Sequence, residues 1–400
     1  MGAKFISRTR QRVRSVGAAG LLLSFFAATT AAMAAGGPPP LWIKQLGGTQ
    51  YDDFADVATD SAGNVVAVGQ FANGDPWIVK FNAAGTVLWE KKPGPELRRA
   101  NGVAIDGAKN IIVSLTTDHS DPWLLKYNAA GTLLWSRQND STGDALHVAV
   151  DRAGNIYTAG TAGPLGNGNR NAELVKYNPA GARLWAKVFG TDQRDDCNGI
   201  AVDKDNNVLL VGYTWGPLAG PDPRNTGRDA WLAKLDGTGK FLWTRQLDSL
   251  DADIDYGDAV AVDASGNVFV GGLTYGRFST ASRRGEKGWL AKYSTGGVLG
   301  WISEYSLGRG PSIRGLAVTG GGAVIATGLS PSRGVFVAKY NNFDGAFLGD
   351  SLIDSDEPDV VQAVAVDRSG NSYIAGYTNG DLGGPNKGRR DAFLAKFPRW

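Results

Sequence analysis

Histidine is the side chain best suited to acid–base chemistry near neutral pH, and the sequence contains two, His119 and His147. His147 occupies a position of a recurring segment that holds a small residue in five other copies and Asp56 in the first. This correspondence predicts that His147 and Asp56 both reach the mouth of a central channel, where the pair could act as a base. No nucleophile or metal-ligand set accompanies them, so a packed or solvated histidine is favoured and no catalytic residue is assigned. An extracytoplasmic hydrolase or lyase with its site at this mouth is the alternative interpretation.

An acidic run, LDSLDADIDYGD, places Asp251, Asp253 and Asp255 at the two-residue spacing of a calcium-binding loop. An EF-hand loop would continue with Gly after the third Asp and end on Glu at its twelfth position, where this chain has Tyr256 and Val262. A solvated acidic loop is therefore favoured over a calcium site, and no metal ligand is assigned.

Charged and aromatic residues concentrate in two sets of loops that vary in length and composition, as binding loops on a rigid scaffold do. If both sets open on one face, that rim suits a protein, a peptide or a glycan, and the alternative is a solvated rim that binds nothing. The candidate ligand-face residues are Asp195, Asp196, Trp215, Asp255, Asp258, Tyr275, Arg283, Arg284, Tyr377 and Arg389.

These residues lie between two alternating signatures that recur from Leu41 to the end of the chain. The first is VAVDxxGNxxxxG, seen as AVAVDASGNVFVGG, and its Asp recurs at Asp60, Asp106, Asp151, Asp203, Asp263 and Asp367, with Thr319 in the remaining copy. The second is an aromatic-x-x-Lys segment, with its Lys at Lys80, Lys126, Lys176, Lys234, Lys292, Lys339 and Lys396. The sequence therefore contains seven copies.

Each copy predicts four short antiparallel strands, because β-branched runs alternate with Asp-x-x-Gly-Asn and Asn-Ala-Ala-Gly turns. Four strands at this period make one propeller blade, so residues 41–400 predict an all-β, seven-bladed β-propeller. The last copy stops before its outer-strand Trp, and LWIKQL at residues 41–46 matches the missing strand. We therefore expect this N-terminal strand to pair with Asp391–Phe397 and close the ring.

The aromatic residues of both signatures predict packing between blades. One set stands three residues before the repeat Lys: Trp77, Trp123, Trp231, Trp289, Phe336 and Phe393, with Glu173 as the exception. The other set lies on the outer strand: Trp42, Trp89, Trp135, Trp185, Trp243 and Trp301, with Leu348 as the weak copy.

AVAVDASGNVFVGG together with DAFLAKF resembles the bacterial seven-bladed β-propeller repeat family, the SBBP repeats, over about residues 41–400. The resemblance implies a secreted or cell-surface propeller and supplies no catalytic motif. LDGTGKFLW is also similar to the tryptophan-docking repeat of quinone-dependent dehydrogenases, many of which stack the quinone on a vicinal disulfide. A single cysteine, Cys197, excludes such a disulfide, and no cofactor is predicted.

The N-terminal segment predicts export. Five basic residues precede an apolar run, and Ala32-Met33-Ala34 forms a signal-peptidase site, so residues 1–34 read as a secretory signal peptide and residues 35–40 as a Gly/Pro leader. The whole chain has 41 basic and 39 acidic residues, so without the signal peptide the net charge is negative and nucleic acid is not an expected partner. We expect an exported, monomeric, non-enzymatic binding scaffold without a transmembrane segment, located in the periplasm, at the cell surface or in the medium.

Overall fold

The computed structural model describes residues 36–72, 74–94, 96–117, 122–138, 143–163, 170–219, 227–251, 254–305, 310–330 and 334–400. The predicted signal peptide lies outside these residues, and its assignment stays a prediction.

Twenty-eight strands form seven four-stranded antiparallel sheets. Blade 1 contains β2 (Asp53–Thr59), β3 (Val65–Phe71), β4 (Asp75–Phe81) and β5 (Val87–Lys91). Blade 2 contains β6 (Leu97–Ile105), β7 (Ile111–Thr117), β8 (Pro122–Tyr127) and β9 (Leu133–Gln138). Blade 3 contains β10 (Gly143–Val150), β11 (Ile156–Ala162), β12 (Asn171–Tyr177) and β13 (Arg183–Phe189). Blade 4 contains β14 (Asp195–Val202), β15 (Val208–Thr214), β16 (Asp229–Leu235) and β17 (Phe241–Leu247).

The remaining blades repeat this order. Blade 5 contains β18 (Asp255–Val262), β19 (Val268–Thr274), β20 (Lys287–Tyr293) and β21 (Leu299–Tyr305). Blade 6 contains β22 (Ser312–Val318), β23 (Val324–Ser330), β24 (Gly334–Tyr340) and β25 (Phe347–Ile353). Blade 7 contains β26 (Asp359–Val366), β27 (Ser372–Thr378), β28 (Asp391–Phe397) and, as its outer strand, β1 (Trp42–Leu46).

The predicted ring closure is confirmed. β1 pairs antiparallel with β28, from Trp42 opposite Lys396 to Leu46 opposite Ala392. The indole of Trp42 packs beside Tyr373 of the same blade, with ring centroids 6.0 Å apart. The seven-bladed all-β architecture is thus the one that the repeats predict.

The Asp-x-x-Gly-Asn signature forms the tight turn between the first two strands of a blade. In blade 3, Asp151 Oδ1 accepts hydrogen bonds from the backbone N–H groups of Ala153 and Asn155, and Oδ2 accepts one from the Asn155 amide. Gly154 has a φ of 80°, a left-handed conformation that an L residue with a Cβ rarely adopts. The signature therefore encodes the turn itself.

The repeat lysines connect adjacent blades, a role that the sequence analysis did not assign. Lys234 of blade 4 forms an ion pair with Asp203 of its own blade (Nζ–Oδ2 2.8 Å) and donates to Thr295 Oγ1 in the second tight turn of blade 5 (2.9 Å). Lys80 and Lys126 make the same pair of contacts in blades 1 and 2. The two signatures recur in register because one supplies the carboxylate and the other the ammonium of this bridge.

The outer-strand tryptophans pack against the next blade, as predicted. The indole N–H of Trp243 donates to the Thr295 carbonyl (3.1 Å), and Trp301 makes the same bond to Asn342 (3.1 Å). The ring of Trp243 lies under Gly297, where a Cβ would come within 2.7 Å of it. The tight turns of this face are therefore structural.

Candidate functional site

The long loops between second and third strands, and those that enter the inner strands, lie on the face opposite the tight turns. On this side the inner strand of each blade carries a β-bulge, for example between Cys197 and Gly199 of β14 and between Gly257 and Ala259 of β18. At the bulge of blade 4, β14 lies so close to β15 that a Cβ on Gly212 would come 1.8 Å from the Asp196 carbonyl oxygen. Bulges often re-aim side chains, and in blades 4 and 5 the extra residues are the polar Asn198 and Asp258.

Three bulge residues on consecutive blades interact across the inner strands. Asn198 Nδ2 donates to Asp258 Oδ1 at 3.2 Å, and the charge of Arg314 acts on the same carboxyl. Burial raises the pKa of Asp258 to about 6, because desolvation outweighs Arg314 and Asn198. Asp258, one of the candidate ligand-face residues, thus lies among the bulge residues of the inner strands.

The predicted His147–Asp56 pair is not assembled as a catalytic base. Asp56 and His147 lie on blades 1 and 3, with blade 2 between them. Asp56 accepts the backbone N–H groups of Val57 and Val103, both at 2.8 Å, so its carboxylate joins blades 1 and 2. Burial raises the pKa of Asp56 to about 7 and lowers that of His147 to about 4.

Replacing His147 with Ala should reduce the loss of stability in acid. Because burial holds His147 neutral in the folded chain, the unfolded state takes up a proton as pH falls from about 6.5 to about 4, and the folded state does not. The difference between the pKa of His147 in the unfolded chain and in the folded chain corresponds to a loss of folding stability of at most about 3 kcal/mol. The loss is smaller if water in the channel reaches the partly exposed ring. Guanidinium unfolding at pH 7.5 and 4.5 measures this. Equal acid losses in the wild type and His147→Ala would contradict it.

Two of the predicted ligand-face aspartates, Asp195 and Asp255, are buried. The Oδ2 atom of Asp195 accepts the Thr191 N–H at 2.6 Å, and that of Asp255 accepts the Ser249 N–H at 2.8 Å. Their own N–H groups donate to the carbonyls of Arg170 and Arg228 in the preceding blade. They are therefore not available on the rim as predicted, because each carboxylate folds inward to satisfy the loop that enters its strand.

An arginine–aromatic cluster lies on the long-loop face between blades 4 and 5, and we call Arg228, Trp215, Tyr213 and Tyr256 the blade 4/5 cluster. The Arg228 guanidinium lies 4.6 Å from the Trp215 ring centroid, 5.7 Å from that of Tyr213 and 5.4 Å from that of Tyr256, whose hydroxyl it also contacts. Trp215 remains 41% exposed. Trp215 is one of the candidate ligand-face residues predicted from the sequence, whereas Arg228 is not among them.

Two flanking residues complete the edge of this cluster. Arg194 Nε donates to Asp196 Oδ2 at 2.5 Å, and the Arg194 guanidinium lies 5.9 Å from the Tyr213 centroid. Asp196 is buried and neutralises Arg194, so it holds an arginine rather than a ligand.

A similar cluster recurs between blades 7 and 1. The Arg390 guanidinium lies 4.1 Å from the Tyr377 centroid and donates to Asp53 Oδ2 at 2.7 Å. Exposed Arg389 lies 5.5 Å from the Tyr51 centroid. Burial raises the pKa of Asp53, and Arg99 and Arg390 oppose the shift. Tyr377 is half-buried and Arg389 is exposed.

The remaining candidates lie together in the blade 5 loop. Tyr275, Arg283 and Arg284 are exposed, and their place in a ligand face stays a prediction. The Arg283 carbonyl accepts a hydrogen bond from Lys287, which also pairs with Glu304 at 3.4 Å.

A cavity of about 210 Å³ lies at the opposite, tight-turn mouth of the channel. It is lined by Val150, Asp151, Arg152, Val202, Asp203, Lys204, Val262, Asp263 and Ala264. The carboxylates of Asp151, Asp203 and Asp263 already accept hydrogen bonds from the tight turns. This cavity is therefore a weaker candidate for a binding site than the long-loop face.

The repeats match a known family. The model of the SBBP beta-propeller repeat matches residues 184–219, which span the Asp203 turn, and residues 357–383 of blade 7. The chain is a seven-bladed propeller with SBBP repeats in two regions, and it is called the SBBP propeller below. The uncharacterized WD repeat-containing protein L264 of Acanthamoeba polyphaga mimivirus is 25% identical over 150 residues, which cover 29% of the SBBP propeller and 11% of that relative.

Solved propellers resemble the SBBP propeller in fold. The Pan2 WD40 domain of Neurospora crassa has a TM-score of 0.58 at 10% identity, covering 90% of this chain and 97% of the domain. Sqt1 of Chaetomium thermophilum, solved bound to the N-terminus of the ribosomal protein L10, has a TM-score of 0.55 at 10% identity, covering 90% and 99%. Over the part of the SBBP propeller that the structure describes, no helix is long and apolar enough to cross a membrane.

Proposed function

We propose that this SBBP propeller is an exported binding scaffold that holds a peptide or a segment of a partner protein in the blade 4/5 cluster. The observation that carries the proposal is Trp215, an exposed tryptophan held beside the Arg228 guanidinium on the long-loop face. A few residues supply most of the affinity at protein interfaces, and tryptophan, tyrosine and arginine are enriched among them. A rigid ring of blades can present them with little loss of conformational entropy.

The chemistry of the cluster selects the kind of partner. Arg228 offers guanidinium N–H groups beside three aromatic rings, and Arg194 stands at the edge. A guanidinium can bind a carboxylate through two parallel hydrogen bonds, and the rings bind apolar or aromatic side chains. We therefore propose a peptide segment that combines an acidic residue with an aromatic or aliphatic one. A glycan would use the same rings and is the other outcome of the test.

Two further considerations support the proposal. Sqt1, which shares the fold, is solved with a polypeptide N-terminus bound, so a propeller of this kind is able to hold a peptide segment. Export rests on the basic, apolar and Ala-x-Ala pattern of residues 1–34, which would place the binding face outside the cytoplasm.

Replacing Trp215 with Ala should abolish peptide binding without unfolding the ring. The mature chain, residues 35–400, would be screened against a displayed peptide library, and the affinity of each enriched peptide measured by calorimetry. We expect a loss of about 30-fold or more, the size of an interface hot spot. The free energy of unfolding should fall by no more than about 1 kcal/mol, since Trp215 is 41% exposed and packs against Arg228 at the surface.

Phe343→Ala is the matched control. Phe343 is an 87% exposed aromatic in a tight turn of blade 6, on the opposite face. Enriched peptides should bind this variant within about twofold of the wild type. Peptides that tolerate Trp215→Ala but lose affinity with Phe343→Ala would move the binding site to the tight-turn face and overturn the proposal. Enrichment of glycans and not peptides on a matching array would replace the peptide by a sugar.

A further inference from the structure

Three carboxylates converge where blades 4 and 5 meet, and we call them the aspartate triad. Asp229 begins β16, Asp248 directly follows β17, and Asp255 begins β18. One carboxylate oxygen from each lies within 4.8 Å of the other two. Asp229 and Asp255 are buried and Asp248 is half-buried, so three acidic groups share a poorly solvated space. Like charges held this close in such a site repel one another strongly.

One oxygen of the triad makes no hydrogen bond of normal geometry. Asp255 is 0% exposed and its Oδ2 accepts the Ser249 N–H at 2.8 Å, whereas its buried Oδ1 has no well-formed bond, although the Thr274 hydroxyl lies beside this carboxyl. Leaving a buried acceptor unsatisfied costs stability, and the cost is larger for an ionised group. A cation between the three carboxylates would satisfy this oxygen and cancel the repulsion.

The same junctions after blades 3 and 7 have no third carboxylate. The residue that directly follows the outer strand is Asp248 in blade 4, Gly190 in blade 3 and Gly47 in blade 7. A Cβ on Gly190 would lie 2.4 Å from Asp195 Oδ2, and one on Gly47 would lie 2.3 Å from Asp391 Oδ1. Those junctions have no room for a side chain, whereas the blade 4/5 junction accommodates an additional acid.

We propose that the aspartate triad binds a hard divalent cation, and that the cation is Ca²⁺. An all-oxygen, all-carboxylate donor set suits Ca²⁺, Mg²⁺ or Mn²⁺ and does not suit metals that prefer nitrogen or sulfur. Ca²⁺ accepts irregular geometry and six to eight oxygens, whereas Mg²⁺ demands near-octahedral geometry and keeps several waters. Donors from three strand ends around a packed junction favour the less demanding ion. The triad shares Asp255 with the Asp251–Asp255 loop considered from sequence but does not include Asp251, which pairs with Arg277 (3.2 Å).

The site stands independently of peptide binding but lies at the base of the blade 4/5 cluster. Asp229 directly follows Arg228, and Asp255 directly precedes Tyr256. A cation bound by both aspartates would fix the backbone on each side of the junction from which the cluster projects. Calcium would then tighten any ligand held by Arg228 and Tyr256, whatever that ligand is.

Calcium titration of the chelator-treated mature chain tests the site directly. We expect saturable binding by calorimetry, with Mg²⁺ binding at least about tenfold more weakly. The midpoint of thermal unfolding should rise by about 3–5 °C once calcium exceeds its dissociation constant 100-fold. Asp248→Gly, which installs the residue that blades 3 and 7 carry, should weaken calcium binding by about 100-fold or more, because even ligand-supporting residues change affinity by 10- to 100-fold.

Asp354→Gly is the matched control. Asp354 directly follows the outer strand of blade 6, as Asp248 follows that of blade 4. The third strand of blade 6 begins with Gly334, however, whereas the third strand of blade 4 begins with Asp229 of the triad. Its calcium affinity should equal that of the wild type. No binding by the wild type at millimolar calcium, or equal binding by the wild type and Asp248→Gly, would overturn the site. Neither result would touch the peptide proposal, which is measured with Trp215→Ala.

Discussion

Deleting residues 41–46 should cost the propeller at least about 3 kcal/mol, a large share of the stability of a typical domain. The deletion removes β1, exposes the backbone edge of β28 and empties the position where Trp42 packs beside Tyr373. Trp42 and Leu46 pack against the core that blades 7 and 1 share, so the loss acts on both blades. Guanidinium unfolding of residues 35–400 with and without residues 41–46 measures the difference.

Adding the missing strand as a peptide separates closure from general damage. A synthetic peptide of residues 36–48 should restore much of the lost stability, because the edge of β28 pairs residue by residue from Lys396 to Ala392. The same peptide with Trp42→Ala should restore less. If the truncated chain unfolds at the same denaturant concentration as the full mature chain, the closing strand does not hold the ring.

The ring closure was predictable because it depends on likeness between segments of one chain. LWIKQL resembles the other outer strands, and a repeat that lacks one strand at one end needs it from the other. Positions that recur in register must have equivalent neighbours, so the inter-blade packing of Trp243 and Trp301 could also be predicted. Repetition thus predicts architecture well even in a single sequence.

The candidate site was predicted less well, because repetition does not say which way a polar side chain points. Asp195, Asp196 and Asp255 were expected on the rim, but they are buried and hold loops or an arginine. Asp258 lies in a bulge that sends it toward the ring of inner strands. A one-residue bulge changes the face that every earlier residue of the strand presents, and no pattern of polar residues reveals it.

Some of what was missed did leave a signal. The Asp of one signature and the Lys of the other recur together in six copies, which is what an ion pair between them would require. Asp248 stands where blades 3 and 7 have glycine, a difference that a comparison of the copies would show. The recurrence of Asp and Lys does not reveal that the lysine also donates a hydrogen bond to a tight turn of the next blade.

Replacing Lys234 with Met should destabilise the propeller by about 3–5 kcal/mol, because it leaves the Asp203 carboxylate buried without its counter-charge. Both side chains are almost fully buried, with Lys234 Nζ 2.8 Å from Asp203 Oδ2. The variant also loses the hydrogen bond to Thr295 Oγ1, which joins blades 4 and 5. Lys234 and the hydrogen bonds from Asn207 hold the pKa of Asp203 below its ordinary value, so chemical unfolding at pH 7 measures the ionised pair.

The ion pair Lys204–Asp205 is the control, since its distance is almost that of Lys234–Asp203 but it is exposed to solvent. Its Nζ–Oδ2 distance is 2.7 Å, but both side chains are exposed, and such pairs contribute about 0–1 kcal/mol. Lys204→Met should therefore change the free energy of unfolding by less than about 1 kcal/mol. Adding Asp203→Asn to Lys234→Met should recover part of the loss, because it removes the buried charge and keeps Oδ1 as an acceptor for the Asp205 and Asn207 N–H groups. If Lys234→Met lowers the free energy of unfolding no more than Lys204→Met does, the recurring Asp–Lys pair does not stabilise the contact between blades.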